Sequence, residues 1–184
     1  MSGFSVTVFC GSSPGNDPSY ADCARQLGKG LAERGVRLIF GGGNVGLMGL
    51  TARAALEAGG EVVGVIPEFL RQREPPFAGL TELLITDSMH TRKRRLFALG
   101  QAYVVLPGGL GTYDETIEIL TWKQLNQHQK PIILVNHLGW AEAFANLIDN
   151  AIQRGFARPE TNTLFEIQPD IPHTLARLEQ CIRQ

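Results

Sequence analysis

Cysteine is scarce in this chain. Cys10, Cys23 and Cys181 are the only three in 184 residues, and no two form a CxxC pair. An odd, scattered set offers neither a disulfide framework nor zinc-ligand spacing, and it suits a reducing cytoplasm. Net charge is nearly absent too, at −1. No global field therefore recruits nucleic acid or an anionic membrane, and an anionic ligand must be held by local geometry. No apolar run approaches the roughly 20 residues that span a bilayer. Met1 to Ser5 lacks a basic stretch followed by an apolar one, so no signal peptide is expected. These absences point to a cytoplasmic protein with no nucleic-acid or membrane partner.

What the chain does have is glycine, 21 residues of it, spaced between short β-branched runs. Its length suits one domain over residues 1–184 with a continuous core. Strands are expected at Ser5–Cys10, Val36–Phe40, Glu61–Ile66, Thr81–Ile85, Ala102–Leu106 and Ile132–Val135, with a weaker one at Thr163–Ile167. Helices are expected at Ser19–Arg34, Val45–Ala58, Ser88–Gly100, Thr112–Gln124, Trp140–Arg154 and Pro172–Ile182. Short, nearly all-apolar strands bounded by glycine imply a parallel sheet buried on both faces. Their alternation with helices implies a Rossmann-like, doubly wound α/β fold of three layers, α/β/α. The proline-rich segment from Pro67 to Gly79 reads as an excursion over the surface, a plain loop or a flap beside the site.

In such a fold, ligands sit beyond the carboxyl ends of the strands. Three strands end there in glycine turns: Gly11-Ser12-Ser13-Pro14-Gly15, Gly41-Gly42-Gly43-Asn44-Val45-Gly46, and Pro107-Gly108-Gly109-Leu110-Gly111-Thr112. Glycine lets backbone N–H groups approach an oxyanion, and a helix dipole completes the site. None of the turns is a P-loop, since no Gly-Lys-Ser/Thr follows. Gly41-x-Gly43-x-x-Gly46 has dinucleotide-fingerprint spacing, but it follows the second strand and Glu61 opens a strand, which argues against an NAD site.

The third turn adds chemistry. Thr112 is placed to cap the following helix and offer its hydroxyl to phosphate. Glu115 falls one turn later, on the face of Ile119 and Trp122. Asp114 points about 100° away and is assigned to the helix dipole. On the preceding helix, Arg92 shares a face with Leu96 and Leu99 at i+4 and i+7, so it should point inward at the ligand edge of the sheet. From there a guanidinium can fork onto a phosphate, a ribose hydroxyl or Glu115. Arg94 and Arg95 read as solvated, and His90 as a local hydrogen-bonding group.

Together, Gly41-Gly42-Gly43-Asn44-Val45-Gly46-Leu47-Met48-Gly49, Met89-His90-x-Arg92-Lys93 and Pro107-Gly108-Gly109-x-Gly111-Thr112-x-x-Glu115 resemble the motifs of the LOG (Lonely Guy) family. The resemblance extends from Cys10 to Phe156. Members are cytokinin riboside 5′-monophosphate phosphoribohydrolases, also labelled possible lysine decarboxylases. It implies hydrolysis of the N-glycosidic bond of an AMP-type nucleotide to free base and ribose 5-phosphate, with no cofactor and no metal. Arg92 and Glu115 would be the catalytic pair. Gly11, Ser12, Gly43, Asn44, Glu74, Met89, Lys93, Gly108, Gly109, Leu110, Gly111, Thr112 and Thr121 would lie at the substrate. The family habit also implies a homodimer with sites near its interface. A lysine decarboxylase would need pyridoxal phosphate on a lysine, and none of Lys29, Lys93, Lys123 and Lys130 has a recognisable cofactor setting. A non-catalytic nucleotide or molybdenum-cofactor carrier of the same fold would keep the glycine turns but need neither Arg92 nor Glu115.

Overall fold

The computed structural model describes residues 3–72 and 77–183. Seven parallel strands form one sheet in the order β4-β3-β2-β1-β5-β6-β7. They are β1 (Ser5–Phe9), β2 (Arg37–Phe40), β3 (Val62–Pro67), β4 (Glu82–Thr86), β5 (Ala102–Val105), β6 (Ile132–Val135) and β7 (Glu166–Gln168). The helices are α1 (Pro18–Glu33), α2 (Gly46–Glu57), α3 (Glu68–Arg71), α4 (Met89–Leu99), α5 (Leu110–Gln124), α6 (Trp140–Gln153) and α7 (Ile171–Ile182).

Alternation along the buried strands divides the core into two layers. Val6, Val8, Leu38 and Val104 join Leu27, Leu31, Ala52 and Leu175 of α1, α2 and α7 on one face. Phe9, Ile39, Tyr103 and Val105 join Leu96, Ile119 and Phe144 of α4, α5 and α6 on the other. This is the expected three-layer doubly wound sandwich. Strand order reverses between β1 and β5, so the turns after these two strands diverge to opposite faces and leave a crevice between them. Backbone bonds tie the two strand ends together. Leu106 N–H donates to the Phe9 carbonyl (2.9 Å) and Gly11 N–H to the Pro107 carbonyl (3.0 Å).

Most element ends fall within one residue of the sequence reading, and three departures go further. The last strand is Glu166–Gln168, not Thr163–Ile167, because Pro159–Thr163 coils into a 3₁₀ turn. The surface excursion begins with a helical turn, α3, closed by an ion pair between Glu68 and Arg71 (2.8 Å). Most consequential, α5 starts at Leu110 with Gly109 as its N-cap. Thr112 is therefore inside the first turn and cannot be the cap. It is buried instead, its hydroxyl filling the space a Cβ at Gly108 would need.

A candidate nucleotide site at the strand reversal

Side-chain caps close α1, α4 and α7. Asp17 accepts from Ser19 N–H, Ser88 from Thr91 N–H, and Asp170 from His173 N–H. No side chain caps α5, so its first-turn donors and positive dipole end stay available to an anion. They face a cavity of about 550 Å³ lined by all three glycine turns, within the roughly 300–1,000 Å³ of small-molecule sites. Gly11 and Ser12 come from the first turn, Gly41 and Gly43 from the second, and Gly108 to Thr112 from the third. Arg92 and Glu115 also line it.

Arg92 occupies the position its helical face dictates. Buried beneath the second turn, its Nε–H donates to the Val65 carbonyl (3.1 Å) and Nη2 to the Gly41 carbonyl (3.3 Å). Nη1 donates to Glu115 Oε1 at 3.4 Å. A side chain at Gly41 would collide with Nη2, so that position must be glycine for the guanidinium to lie where it does. The Arg92–Glu115 pair is only 11% and 14% exposed. Burial pushes the Glu115 carboxyl up to about 7, with Arg92 and Lys93 pulling down and Asp114 and Glu118 adding to the rise. A carboxyl poised near neutrality in a cleft is what proton transfer requires. Cys10 also lines the cavity, but burial and then the Glu115 charge push its thiol up, leaving it a poor nucleophile.

Asp114 does not serve the helix dipole alone, as its place in the sequence suggested. Its carboxylate binds Lys93 Nζ at 2.7 Å, and Glu118 lies 3.4 Å from the same ammonium. The reason is geometric: α4 and α5 pack side by side, and Lys93 bridges them. Burial works against the Lys93 charge, but these two carboxylates outweigh it and hold the ammonium above its ordinary range. Lys93 is thereby drawn outside the cavity lining. Asn44, Met89 and Thr121 also lie off the cavity. Asn44 accepts from Arg53 (3.3 Å), Met89 is exposed at the start of α4, and the Thr121 hydroxyl donates to the Ile117 carbonyl (2.8 Å). Glu74 lies outside the described residues.

Sequence reasoning passed over Tyr20, Leu70 and Trp140 and named Met48 only as part of a motif, yet all four are on the cavity wall. Trp140 opens α6 beyond the carboxyl end of β6, and an aromatic at that edge of the sheet was a usable sign. Tyr20 carried none, since it arrives from a segment with ordinary helical pattern, whereas Leu70 belongs to the segment after Pro67 for which a flap beside the site was one of the two expectations. Among the described residues, no three His, Cys, Asp or Glu side chains gather as a metal site would require, and none of the four lysines lines the cavity.

A strand-reversal crevice with an uncapped helix end and a buried guanidinium–carboxylate pair defines an α/β protein of the nucleotide-binding class. The particular family follows from its relatives. The family model described as possible lysine decarboxylase matches residues 48–178. The cytokinin riboside 5′-monophosphate phosphoribohydrolase of Rhodococcoides fascians is 43% identical over 175 residues, 95% of this chain and 88% of that one. The enzyme of the same name, LOG2, from Arabidopsis thaliana is 39% identical over 177 residues, 96% and 83% of the two chains. This chain belongs to the LOG family. In fold it is also similar to the molybdenum cofactor carrier protein of Chlamydomonas reinhardtii, with a TM-score of 0.76, 22% identity and 99% of both chains covered.

Proposed function

We propose that the chain hydrolyses the N-glycosidic bond of cytokinin riboside 5′-monophosphates and/or AMP. The products are N6-prenyladenine or adenine, and ribose 5-phosphate. The observation that carries this reading is the buried Arg92–Glu115 pair at the wall of a cavity whose other walls are glycine turns. The first turn of α5 receives the phosphate, which sets the ribose against Glu115. As the C1′–N9 bond lengthens, its electron pair passes to the base and positive charge builds on the ribose ring. Ionised Glu115 stabilises that charge and takes a proton from the water whose oxygen bonds to C1′. Over the cycle, water supplies hydroxyl to the sugar and hydrogen to the base. A guanidinium offers only hydrogen-bond donors, so the part of Arg92 is to orient Glu115 and balance charge. The chemistry parallels glycoside hydrolysis with, among the described residues, one carboxylate lining the cavity where two are usual. A molybdenum-cofactor or nucleotide carrier would use the glycine turns and leave this pair without a task.

The test is incubation with AMP and with isopentenyladenosine monophosphate, followed by chromatography of base and sugar phosphate. Release of ribose 5-phosphate from at least one is expected, and their relative rates identify the preferred base. No release from either refutes the reading, and so does near-normal turnover by Glu115→Gln or Arg92→Ala.

The active form in this proposal is a cytoplasmic homodimer. The three cysteines are free, in keeping with a reducing compartment. Ile117 on α5 and Leu125 at its C-terminal cap are exposed apolar residues on the side that carries Thr121, and Met89 is exposed one turn before Lys93 on α4. A second copy covering this side buries that apolar surface and brings Met89, Lys93 and Thr121 to the rim of a site they do not reach within one chain. Sedimentation velocity with parallel assays decides it; a fully active monomer refutes it.

A further inference from the structure

Trp140 belongs to none of the motifs in the sequence. Yet among the described residues it is the one side chain from another helix that hydrogen-bonds the backbone of the third glycine turn. Its indole Nε1–H donates to the Gly108 carbonyl at 3.1 Å. The ring is held in plane by neighbours on both helices. It stacks on Tyr113 of α5 (5.4 Å between centroids, 7° between planes) and on Phe144 of α6 (6.4 Å, 16°). The indole therefore reaches Gly108 from a fixed platform.

The consequence lies in the peptide between Gly108 and Gly109. A trans peptide is planar, with C=O and N–H pointing in opposite directions. Flanked by two glycines, this unit can rotate at little steric cost. A rotation would replace a donor by a carbonyl oxygen at the mouth of an anion site. The preceding carbonyl, of Pro107, is already tied to Gly11 N–H (3.0 Å), and the following one, of Gly109, accepts from Tyr113 N–H (3.0 Å). Among the described residues, the Gly108 carbonyl is tied only through Trp140.

We infer that Trp140 is a positioning residue for substrate phosphate: its indole N–H fixes the Gly108–Gly109 peptide with the Gly109 N–H turned away from the indole, toward the phosphate. This rests on reading the cavity as a nucleotide monophosphate site. Trp140 acts through the turn, so its effect falls on binding of the phosphate, in substrate and product alike, and little on the chemical step.

The experiment compares wild type, Trp140→Phe and Trp140→His as full chains, measuring kcat and KM for AMP or its prenylated form and the inhibition constant of ribose 5-phosphate. Phenylalanine keeps the ring stack and loses the donor, whereas histidine restores an N–H. In Trp140→Phe, KM and the inhibition constant should both rise about tenfold, the scale of one lost hydrogen bond to an oriented group, with kcat within about twofold. Trp140→His should recover part of the loss. Wild-type constants in Trp140→Phe, or an equal fall of kcat in both variants, overturn the inference. A measurement that leaves Trp140 intact uses Trp122→Phe, in which Trp140 is the sole tryptophan. Titration with ribose 5-phosphate should give a saturable change in indole emission at the product's inhibition constant, and a flat titration overturns the inference. If wild type neither hydrolyses either nucleotide nor binds ribose 5-phosphate, the functional reading fails and takes this inference with it. If wild type does both and Trp140→Phe is unaffected, only this inference fails.

Discussion

Glu115→Gln should abolish activity and yet make the protein more stable at neutral and alkaline pH. The glutamate carboxyl is raised from 4.5 to about 7, chiefly by burial against only partial relief from Arg92. At roughly 1.36 kcal/mol for each tenfold rise in proton affinity, its ionised form is disfavoured in the folded state by about 3 kcal/mol. The sign follows from linkage. Below pH 4.5 the carboxyl is neutral whether the chain is folded or not, and it costs nothing. Between 4.5 and 7 the unfolded chain ionises first, so folding loses ground steadily; above 7 the full penalty applies. Glutamine resembles the neutral acid in shape and never ionises, so the variant escapes that penalty. The gain over wild type should be near zero at about pH 4.5 and reach about 3 kcal/mol at about pH 8, or on the order of 6–12 °C in Tm for a chain of this size. Urea denaturation followed by circular dichroism at about pH 5, 6, 7 and 8 measures it. Any fixed difference between amide and acid cancels, because only the change with pH counts. A pH-independent gap between the two proteins refutes the reasoning. A variant that loses stability relative to wild type as the pH rises refutes it more strongly, since the ion pair with Arg92 would then outweigh burial.

Arg92→Ala should lower ribose 5-phosphate release by roughly 10²–10³-fold, and its loss should drive the Glu115 carboxyl higher still, because Arg92 is the largest influence pulling it down. Gly41→Ala places a methyl group against the Arg92 guanidinium and 2.9 Å from Met48 Sδ. Overpacking of this kind costs about 1–3 kcal/mol, and kcat/KM should fall at least tenfold (~1.4 kcal/mol) as the guanidinium is displaced; unchanged kinetics would show that it has room to move. In wild type, kcat/KM should rise with pH through a midpoint near 7 as Glu115 ionises. Asp114→Asn should move that midpoint down and Lys93→Ala should move it up, because the first charge raises the Glu115 carboxyl and the second lowers it. Shifts of the same sign in both variants would remove Glu115 from the profile.

Much of this site was legible because its chemistry lies in local patterns. The glycine turns follow recognisable strands, and Arg92 could be oriented from Leu96 and Leu99 on the same helical face. Glu115 could be placed from Ile119 in the same way, and Leu96 and Ile119 are buried where that periodicity requires. What escaped depends on how helices lie against one another. Lys93 meets Asp114 and Glu118 because α4 and α5 are adjacent, a contact no spacing within either helix encodes. The cap of α5 was misassigned because threonine is a favoured capping residue. Here the glycine turn needs that hydroxyl inside, against Gly108. Trp140 reaches Gly108 across 32 residues; its place beyond β6 marks it as near the site, but no spacing shows which group it bonds.

The joining of β1 to β5 also bears on when this site comes into being. The Ser5 amide bonds the Gln101 side chain across 96 residues, and Gly11 meets Pro107 over a comparable span. Pairings this remote in sequence carry a loop-closure cost before they return anything, and they slow folding. A chain emerging from the ribosome up to α3 already holds the first two glycine turns, but it has no crevice until β5 docks at the centre of the sheet. Recovery of phosphate binding during refolding should therefore lag behind the appearance of helix, and it reports on the closing of that one central seam.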